Sequence, residues 1–301
     1  MKLQHVEVLI AIADAGSLRG AAERLGKSQP ALTKILRQVE ENLGEAVFHR
    51  SSGGVSLTGL GERILSRCRS LHSEINRLND EVRQLRGEHT GELHVCVSPL
   101  AAIKIIPRAL EVFHKTYPNV RVHLSSGLFP NALKPLREGR IDLLLGPTPL
   151  DGVPRDVSVE KLMETPVIVI TSTTSRYRSV RRLADLANAP WIVIGASKGP
   201  GDTFRHAFEK AGLAAPAVQF TSESYFGALA LLQHLDGVCM FPERLLPDMQ
   251  KSWDLVKLDL DQNFASLKIA AMTRAATPLT PAAEALLNCI RRRVVTLERD
   301  G

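Results

Sequence analysis

The sequence predicts a multidomain α+β chain in three parts, and three patterns carry that prediction. Between Ser17 and Leu43 a short apolar-striped segment, a glycine-containing turn and a longer striped segment follow one another, and a small strand hairpin comes after them. From Ile64 to Leu85 apolar residues recur at alternating intervals of four and three. Beyond Leu93 strand-like and helix-like segments alternate. With 301 residues, 44% of them hydrophobic, the chain is long enough for about two domains and ample core.

The first helix spans residues 3–15, with Leu3, Val6, Leu9, Ile10 and Ala13 as its stripe. Gly16 ends it and Ser17 caps the next, whose Ala21, Ala22 and Leu25 face inward. The small alanines there let two helices cross closely. After the Gly26 turn, Ser28 can cap a third helix, and Pro30 falls in its first turn, where a missing N–H costs little. Leu32, Ile35, Leu36, Val39 and Leu43 form its apolar face. Gln29, Thr33 and Arg37 form the other, with Pro30 and Lys34 beside them. A helix that reads DNA needs this split, since one side must hold the angle while the other meets base edges and phosphates. An ordinary helical hairpin in a core shows the same stripes. The segment just beyond the third helix favours DNA reading. Gly44 stops the helix, and residues 47–50 and 55–58 read as strands around the turn at 51–54. A hairpin in this position is a wing, with His49 and Arg50 at its base.

Thr58 is placed to cap a long helix. Its apolar positions Ile64, Cys68, Leu71, Ile75, Leu78, Val82 and Leu85 form an unbroken heptad seam between charged flanks, the mark of a two-stranded coiled coil. The alternative is an amphipathic helix packed on its own chain. The segment from Arg86 to Gly91 breaks the helix as a hinge.

Beyond it, strands are expected at 93–98, 120–125, 141–146, 159–162, 167–171, 191–194, 217–221, 237–241 and 267–273. Helices are expected from Pro99 towards Tyr117, near 131–138, 179–187, 202–211 and 225–235, and at 281–297. This alternation implies parallel-type sheets covered on both faces.

Charge and cysteine content narrow the classes. The net charge of +6 is mildly basic and compatible with nucleic acid. Residues 1–58 hold seven Lys and Arg against six Asp and Glu, a balance of +1, so any DNA-facing surface must come from placing cations on one side. Four cysteines lie far apart without a Cys-x-x-Cys, the pattern of small buried hydrophobes in a reducing compartment rather than of zinc sites or a disulfide scaffold. No signal-peptide run opens the sequence, and no apolar run approaches the ~18 residues of a membrane span. The expectation is a cytoplasmic protein.

Several of these segments together carry a resemblance. Gly16-Ser17-Leu18 at the start of the second helix, Ala21-Ala22-x-x-Leu25, Ser28-Gln-Pro-Ala-Leu-Thr-Lys34, Val39-Glu-Glu-Asn-Leu-Gly44, Phe48-His-Arg50 and Leu57-Thr58-x-x-Gly61 resemble the amino-terminal domain of LysR-type transcriptional regulators over about sixty contiguous residues. Departures are small: Thr33-Lys34 stands where Ser-Arg is usual, and Lys lacks the bidentate fork of Arg. Val6 and Val39 replace more usual aromatic or Leu residues.

The resemblance implies a winged helix-turn-helix over 1–58, a linker helix for dimerisation over 59–87, and a hinge at 88–91. It further implies an effector domain similar to periplasmic binding proteins, with lobe I at 92–161 and 267–301 and lobe II at 162–266. Gln29, Pro30, Thr33, Lys34 and Arg37 would face the major groove, Gln29 pairing with adenine and Pro30 touching a thymine methyl. Lys27, Ser28, His49, Arg50 and Thr58 would hold backbone and register. Ser98, Thr148 and the 196–203 loop, with Ser197, Lys198 and Thr203, would line the cleft between lobes. Leu100, Ala101, Ala102, Phe129, Phe226, Phe241 and Pro242 would supply its apolar wall. The expected effector is a small anion, a carboxylate or sulfonate with an apolar body. Expected partners are operator DNA, a second copy forming dimers and then tetramers, and RNA polymerase, with no membrane. Neither a cofactor nor a metal is expected.

Enzyme signatures are missing from the sequence: no Gly-x-Ser-x-Gly, no phosphate-binding Gly-x-x-x-x-Gly-Lys-Ser/Thr, no His-Glu-x-x-His. The nine histidines show no ligand spacing, and Asp142 reads as structural. The rival classes are a small-molecule binder whose amino-terminal helices only dimerise, and a thiol-based redox regulator.

Overall fold

A computed structural model describes residues 1–51, 54–149, 152–196, 199 and 201–299, and of Arg50 the backbone alone. Two compact units divide the chain: residues 1–82 with 137–140, and residues 83–136 with 141 onward.

In the first unit α1 (Leu3–Ala15), α2 (Leu18–Leu25) and α3 (Gln29–Leu43) follow in order, and each ends on a left-handed glycine, Gly16, Gly26 or Gly44. Ser17 accepts from Gly20 N at 3.1 Å and Ser28 from Ala31 N at 3.4 Å, so both expected caps form. The buried face of α1 is broader than its expected stripe: His5, Val6, Val8, Leu9, Ala11 and Ile12 are buried, while Leu3 is exposed. α1 is wedged among α2, α3 and the strand hairpin, so more than one of its sides meets protein. Ala21 and Ala22 of α2 and Leu32, Leu36 and Val39 of α3 complete this core, whereas Leu43 lies at the surface.

The wing consists of β1 (Phe48–Ser51) and β2 (Gly54–Leu57), paired antiparallel. Hydrogen bonds to α3 and α1 that the sequence did not announce fix it. Glu40 Oε1, on α3, accepts from Val47 N at 2.9 Å and from Phe48 N at 3.3 Å. Val55 N donates to Gly16 O at 2.9 Å, joining β2 to the end of α1.

The long helix α4 (Gly59–Leu85) begins at Thr58, whose Oγ1 accepts from Gly61 N at 2.9 Å and donates to Ala46 O at 2.8 Å. The heptad reading needs correction at its first two positions. Cys68 is fully buried in the three-helix core and Ile64 packs against it, so both serve the domain's own interior. Ile75 is half-buried, while Leu71, Leu78, Val82 and Leu85 are 54%, 59%, 40% and 72% exposed. The hinge is shorter than expected, because Thr90 and Gly91 already belong to a strand.

The second unit holds β3 (Thr90–Val97), α5 (Ile106–Thr116), β4 (Asn119–Ser126), α6 (Leu133–Arg137), β5 (Leu143–Pro147), β6 (Val157–Thr165) and β7 (Val167–Ser172). It continues with β8 (Ile192–Ile194), α7 (Asp202–Lys210), β9 (Phe220–Ser222), α8 (Tyr225–His234), β10 (Cys239–Pro242), α9 (Leu246–Met249), β11 (Leu255–Lys257), β12 (Leu267–Arg274) and α10 (Pro281–Arg299). A π-helical turn, Ala101–Ile105, leads into α5, and Pro107 takes a first-turn position where its missing N–H is tolerated. The expected helix at 179–187 is only the 3₁₀ turn Leu183–Leu186.

Lobe I is a five-stranded sheet in the order β4-β3-β5-β12-β6. β4, β3 and β5 run parallel, as βαβ crossovers require, but β12 is antiparallel to both its neighbours. α5 and α10 cover one face through Ile106, Phe113, Leu286 and Ile290. β6 stays in this sheet through Thr165, four residues past the expected lobe boundary. In lobe II β7 is flanked antiparallel by β10 and β11, while β8 and β9 pair parallel. Its core centres on Trp191, Phe204, Phe208 and Phe241, with Trp191 Nε1 donating to Leu186 O at 2.9 Å.

Gly61 tests the joint between wing and α4. A Cβ there would stand 2.0 Å from Val47 O, whereas one at Gly59 would meet nothing within 4 Å. Gly61→Ala should therefore destabilise the first unit by about 1–3 kcal/mol. Gly59→Ala should leave stability unchanged or slightly raised, as urea unfolding followed by helical circular dichroism would show.

Candidate nucleic-acid interface and ligand crevice

The outward side of α3 is built as the sequence required. Lys27, Ser28, Gln29, Pro30, Lys34 and Arg37 are exposed, and Thr33 is half-buried. Leu32 and Leu36, on the opposite side, are completely buried. Thr33 Oγ1 donates to Gln29 O at 3.0 Å, so its proton is held within the helix. Arg37 Nε donates to Glu41 Oε1 at 2.8 Å with both side chains well exposed, a pairing weak enough to exchange for a phosphate. His49 is exposed on β1, and the side chain of Arg50 lies outside the described residues. Thr58 departs from its expected backbone role: its hydroxyl is spent on Ala46 O and Gly61 N, because it caps α4.

The second candidate site follows from sheet order. β3 crosses through α5 to β4 on one side, and the chain then returns to place β5 on the other. Neighbouring crossovers diverge at such a reversal, leaving a crevice beyond the carboxyl ends of β3 and β5. Ser98 and Thr148 stand at those two ends. Ser98 is almost wholly buried; its N donates to Leu145 O at 2.7 Å and its Oγ accepts from Ala101 N at 3.4 Å. Thr148 N donates to Lys268 O at 2.9 Å. Gly146 lies against Ser98, with only 3.3 Å between an added Cβ and Ser98 Cβ.

The expected apolar wall is partly corrected. Leu100 and Ala101 are buried in the lobe I core, with Ala102 packed against it, because the turn they form faces the sheet. Phe129 is buried, and its carbonyl passes so close to Gly199 that an added Cβ would lie 2.1 Å away. Phe226 is 65% exposed; its neighbour Tyr225 takes the inward position, its ring 5.7 Å from that of Phe241. One step along a helix turns a side chain by about 100°, which separates the two rings. Thr203, Phe241 and Pro242 do come together, lining a small recess with Ile194, Phe204 and Tyr225. Ser197 and Lys198 lie outside the described residues.

Comparison with known proteins completes this picture. A family model described as the LysR substrate binding domain matches residues 86–295, and one described as the bacterial regulatory helix-turn-helix protein, lysR family, matches residues 3–62. The chain belongs to the LysR family. Among relatives of this LysR-family chain, TdcA of Escherichia coli is 26% identical over 66% of this chain and 64% of its own, so the match spans just under two thirds of that protein. GalR of Pseudomonas putida is 26% identical over 96% of this chain and 73% of its own. Among solved structures, CbnR, a LysR family transcriptional regulator, superposes with a TM-score of 0.71 at 21% identity over 98% of this chain and 99% of that one. A full-length OxyR from Pseudomonas aeruginosa gives 0.69 at 20% identity over 97% and 95%. At these identities the structures share the fold. No helix among the described residues is long and apolar enough to cross a membrane.

The thiols bear on the redox reading. Cys68, Cys96 and Cys239 are buried and Cys289 is half-buried. Burial pushes all four up, Cys239 to about 12. A peroxide-reactive cysteine needs a lowered pKa and access. His94 and His123, far apart in sequence, stack on neighbouring strands beside Glu92. Strand register supplies what linear spacing lacked. Asp142 is structural as expected, its Oδ2 accepting from His94 N at 2.8 Å. Tyr225 and Ile194 at the recess were missed, and no local pattern separated Tyr225 from Phe226.

A raised thiol pKa lowers the reactive thiolate fraction at any pH beneath it. Alkylation of the native chain near pH 8 should therefore mark half-buried Cys289 first and Cys239 only after unfolding. A peptide mass-spectrometric time course checks that order.

Proposed function

We propose that this chain is a DNA-binding transcriptional regulator that responds to a small molecule, acting in the cytoplasm and catalysing no reaction. One observation carries the reading: α3 buries Leu32, Leu36 and Val39 while it keeps Gln29, Pro30, Lys34 and Arg37 at the surface. A helix held this way can enter a major groove without disturbing its own core. CbnR, which shares the fold, has been solved in complex with its target DNA, in line with this use of the domain. Gln29 and Pro30 are assigned to base edges, and Lys27, His49 and Arg50 to the phosphate backbone.

The exposed positions Leu71, Leu78, Val82 and Leu85, with Ile75 between them, are assigned to pairing with a second copy. A two-fold dimer implies a roughly palindromic operator with half-sites spaced by whole helical turns. Dimers are taken to assemble into tetramers and to contact RNA polymerase. The effector is proposed to be a small carboxylate or sulfonate with an apolar body. Ile194, Phe204, Tyr225 and Phe241 around Thr203 support the apolar part, and polar Ser98 and Thr148, which follow the ends of β3 and β5, support the other. Binding acts on transcription only through a difference in affinity between two arrangements of the assembly.

Footprinting on the DNA flanking the gene, with and without a panel of aromatic acids and sulfonates, tests the reading. Gln29→Ala should weaken specific binding by about 1–3 kcal/mol and relax one base position. Lys27→Ala should weaken binding on all sequences and reduce the salt slope by about 1. Equal losses on specific and random DNA for both variants would overturn the assignment of roles. Leu78→Glu should shift sedimentation towards monomer and lower operator affinity, while leaving far-ultraviolet circular dichroism unchanged.

A further inference from the structure

Outside both sites, the exposed margin of lobe I carries a cluster that no regulatory role accounts for. β4 is the outermost strand of the five-stranded sheet and pairs with β3 in parallel, with His94 opposite His123 and Glu92 opposite Arg121. Glu92 and His94 are two residues apart on one strand, so their side chains leave the same face. The two imidazoles stack with centroids 4.8 Å apart and planes 9° apart. Glu92 Oε2 lies 3.8 Å from Nε2 of each, while Arg121 pairs with Glu92 Oε1. One nitrogen from each imidazole and one carboxylate oxygen all fall within 4.8 Å of one another.

We propose that Glu92, His94 and His123 form a binding site for a transition-metal dication of borderline softness, such as Zn²⁺ or Ni²⁺. Two neutral imidazoles and one carboxylate are a donor set that such ions favour. Zinc–nitrogen bonds of about 2.0–2.1 Å place two ligand atoms of a tetrahedral ion about 3.3 Å apart. The 3.8 Å separations between Glu92 and each imidazole close to that with small rotations, and the stacked rings must turn out of their parallel arrangement so that both nitrogen lone pairs meet at one ion.

The site is partly pre-set. Asp142 Oδ2 accepts from His94 N at 2.8 Å, and Asp142 N donates to His94 O at 2.8 Å, pinning the backbone that carries one ligand. Glu92 and His123 are exposed, so an ion has a path in, and water completes its coordination. Arg121 is the competitor. Its guanidinium holds the same carboxylate, and a bound cation must share Glu92 with it.

Calorimetric titration of the full chain, tag-free and stripped with chelator, with ZnCl₂ and separately NiCl₂ tests the proposal. One ion per chain is expected. His123→Ala and Glu92→Gln should each weaken uptake by at least about tenfold, since even a lost orienting partner is worth about 10–100-fold. Arg121→Ala should tighten it. Thermal melts without metal should leave His123→Ala like the parent, separating ligand loss from unfolding. Absence of saturable uptake, or uptake that survives in the His94→Ala/His123→Ala double variant, overturns the site. An Arg121→Ala affinity equal to or weaker than that of the parent removes Glu92 from the ligand set and overturns it equally.

Discussion

Burial of one side of α3 is the constraint on which the amino-terminal unit depends. Each aliphatic side chain taken fully out of water contributes about 1.5–3 kcal/mol, so Leu32, Leu36 and Val39 outweigh anything on the opposite side. The Arg37–Glu41 pair on that side is solvated and worth about 1 kcal/mol at most. Packing therefore sets the angle of the helix and leaves its front residues at the surface. The caps at Ser17 and Ser28 and the left-handed glycines at each helix end define where the three helices start and stop. α1, enclosed on several sides, is the post against which the others lean.

The larger unit solves a different problem: how one chain makes two lobes. β6 runs in the lobe I sheet through Thr165, and β7 starts in lobe II at Val167. The chain returns in β12, which inserts between β5 and β6 and runs antiparallel to both. The order β4-β3-β5 places a reversal of winding at Ser98 and Thr148, and a crevice there is a consequence of topology before any side chain is chosen. The aromatic recess around Phe241 and Tyr225 belongs to the lobe II core.

Much of this was legible in the sequence where the signal was local. Glycine stops, serine caps, the α3 stripe as far as Val39 and most strands of lobe I fall where period and turn chemistry placed them. Misreadings arose where a tertiary partner decided. Cys68 looked like a heptad position because periodicity does not say which neighbour a helix face meets, and here the first turns meet their own domain. Tyr225 and Phe226 are alike in chemistry, and only the seating of α8 tells which ring turns inward. The antiparallel strands of lobe II and the His94–His123 stack depend on pairings between distant segments, which no window of sequence contains. The side chain of Arg50 and residues Ser197 and Lys198, all given roles from sequence, lie outside the described residues.

Glu40 ties reading and gripping together. One carboxylate oxygen on α3 holds the backbone amides of Val47, just before the wing, and of Phe48, its first residue. A displacement of that helix is thereby transmitted to the hairpin, and a displaced hairpin pulls on the helix. Helix and hairpin behave as the jaws of one wrench rather than two fingers, and the proposed duplex contacts would share that frame. Altered specificity will then come more readily from exchanging side chains on a fixed frame than from re-angling either element alone.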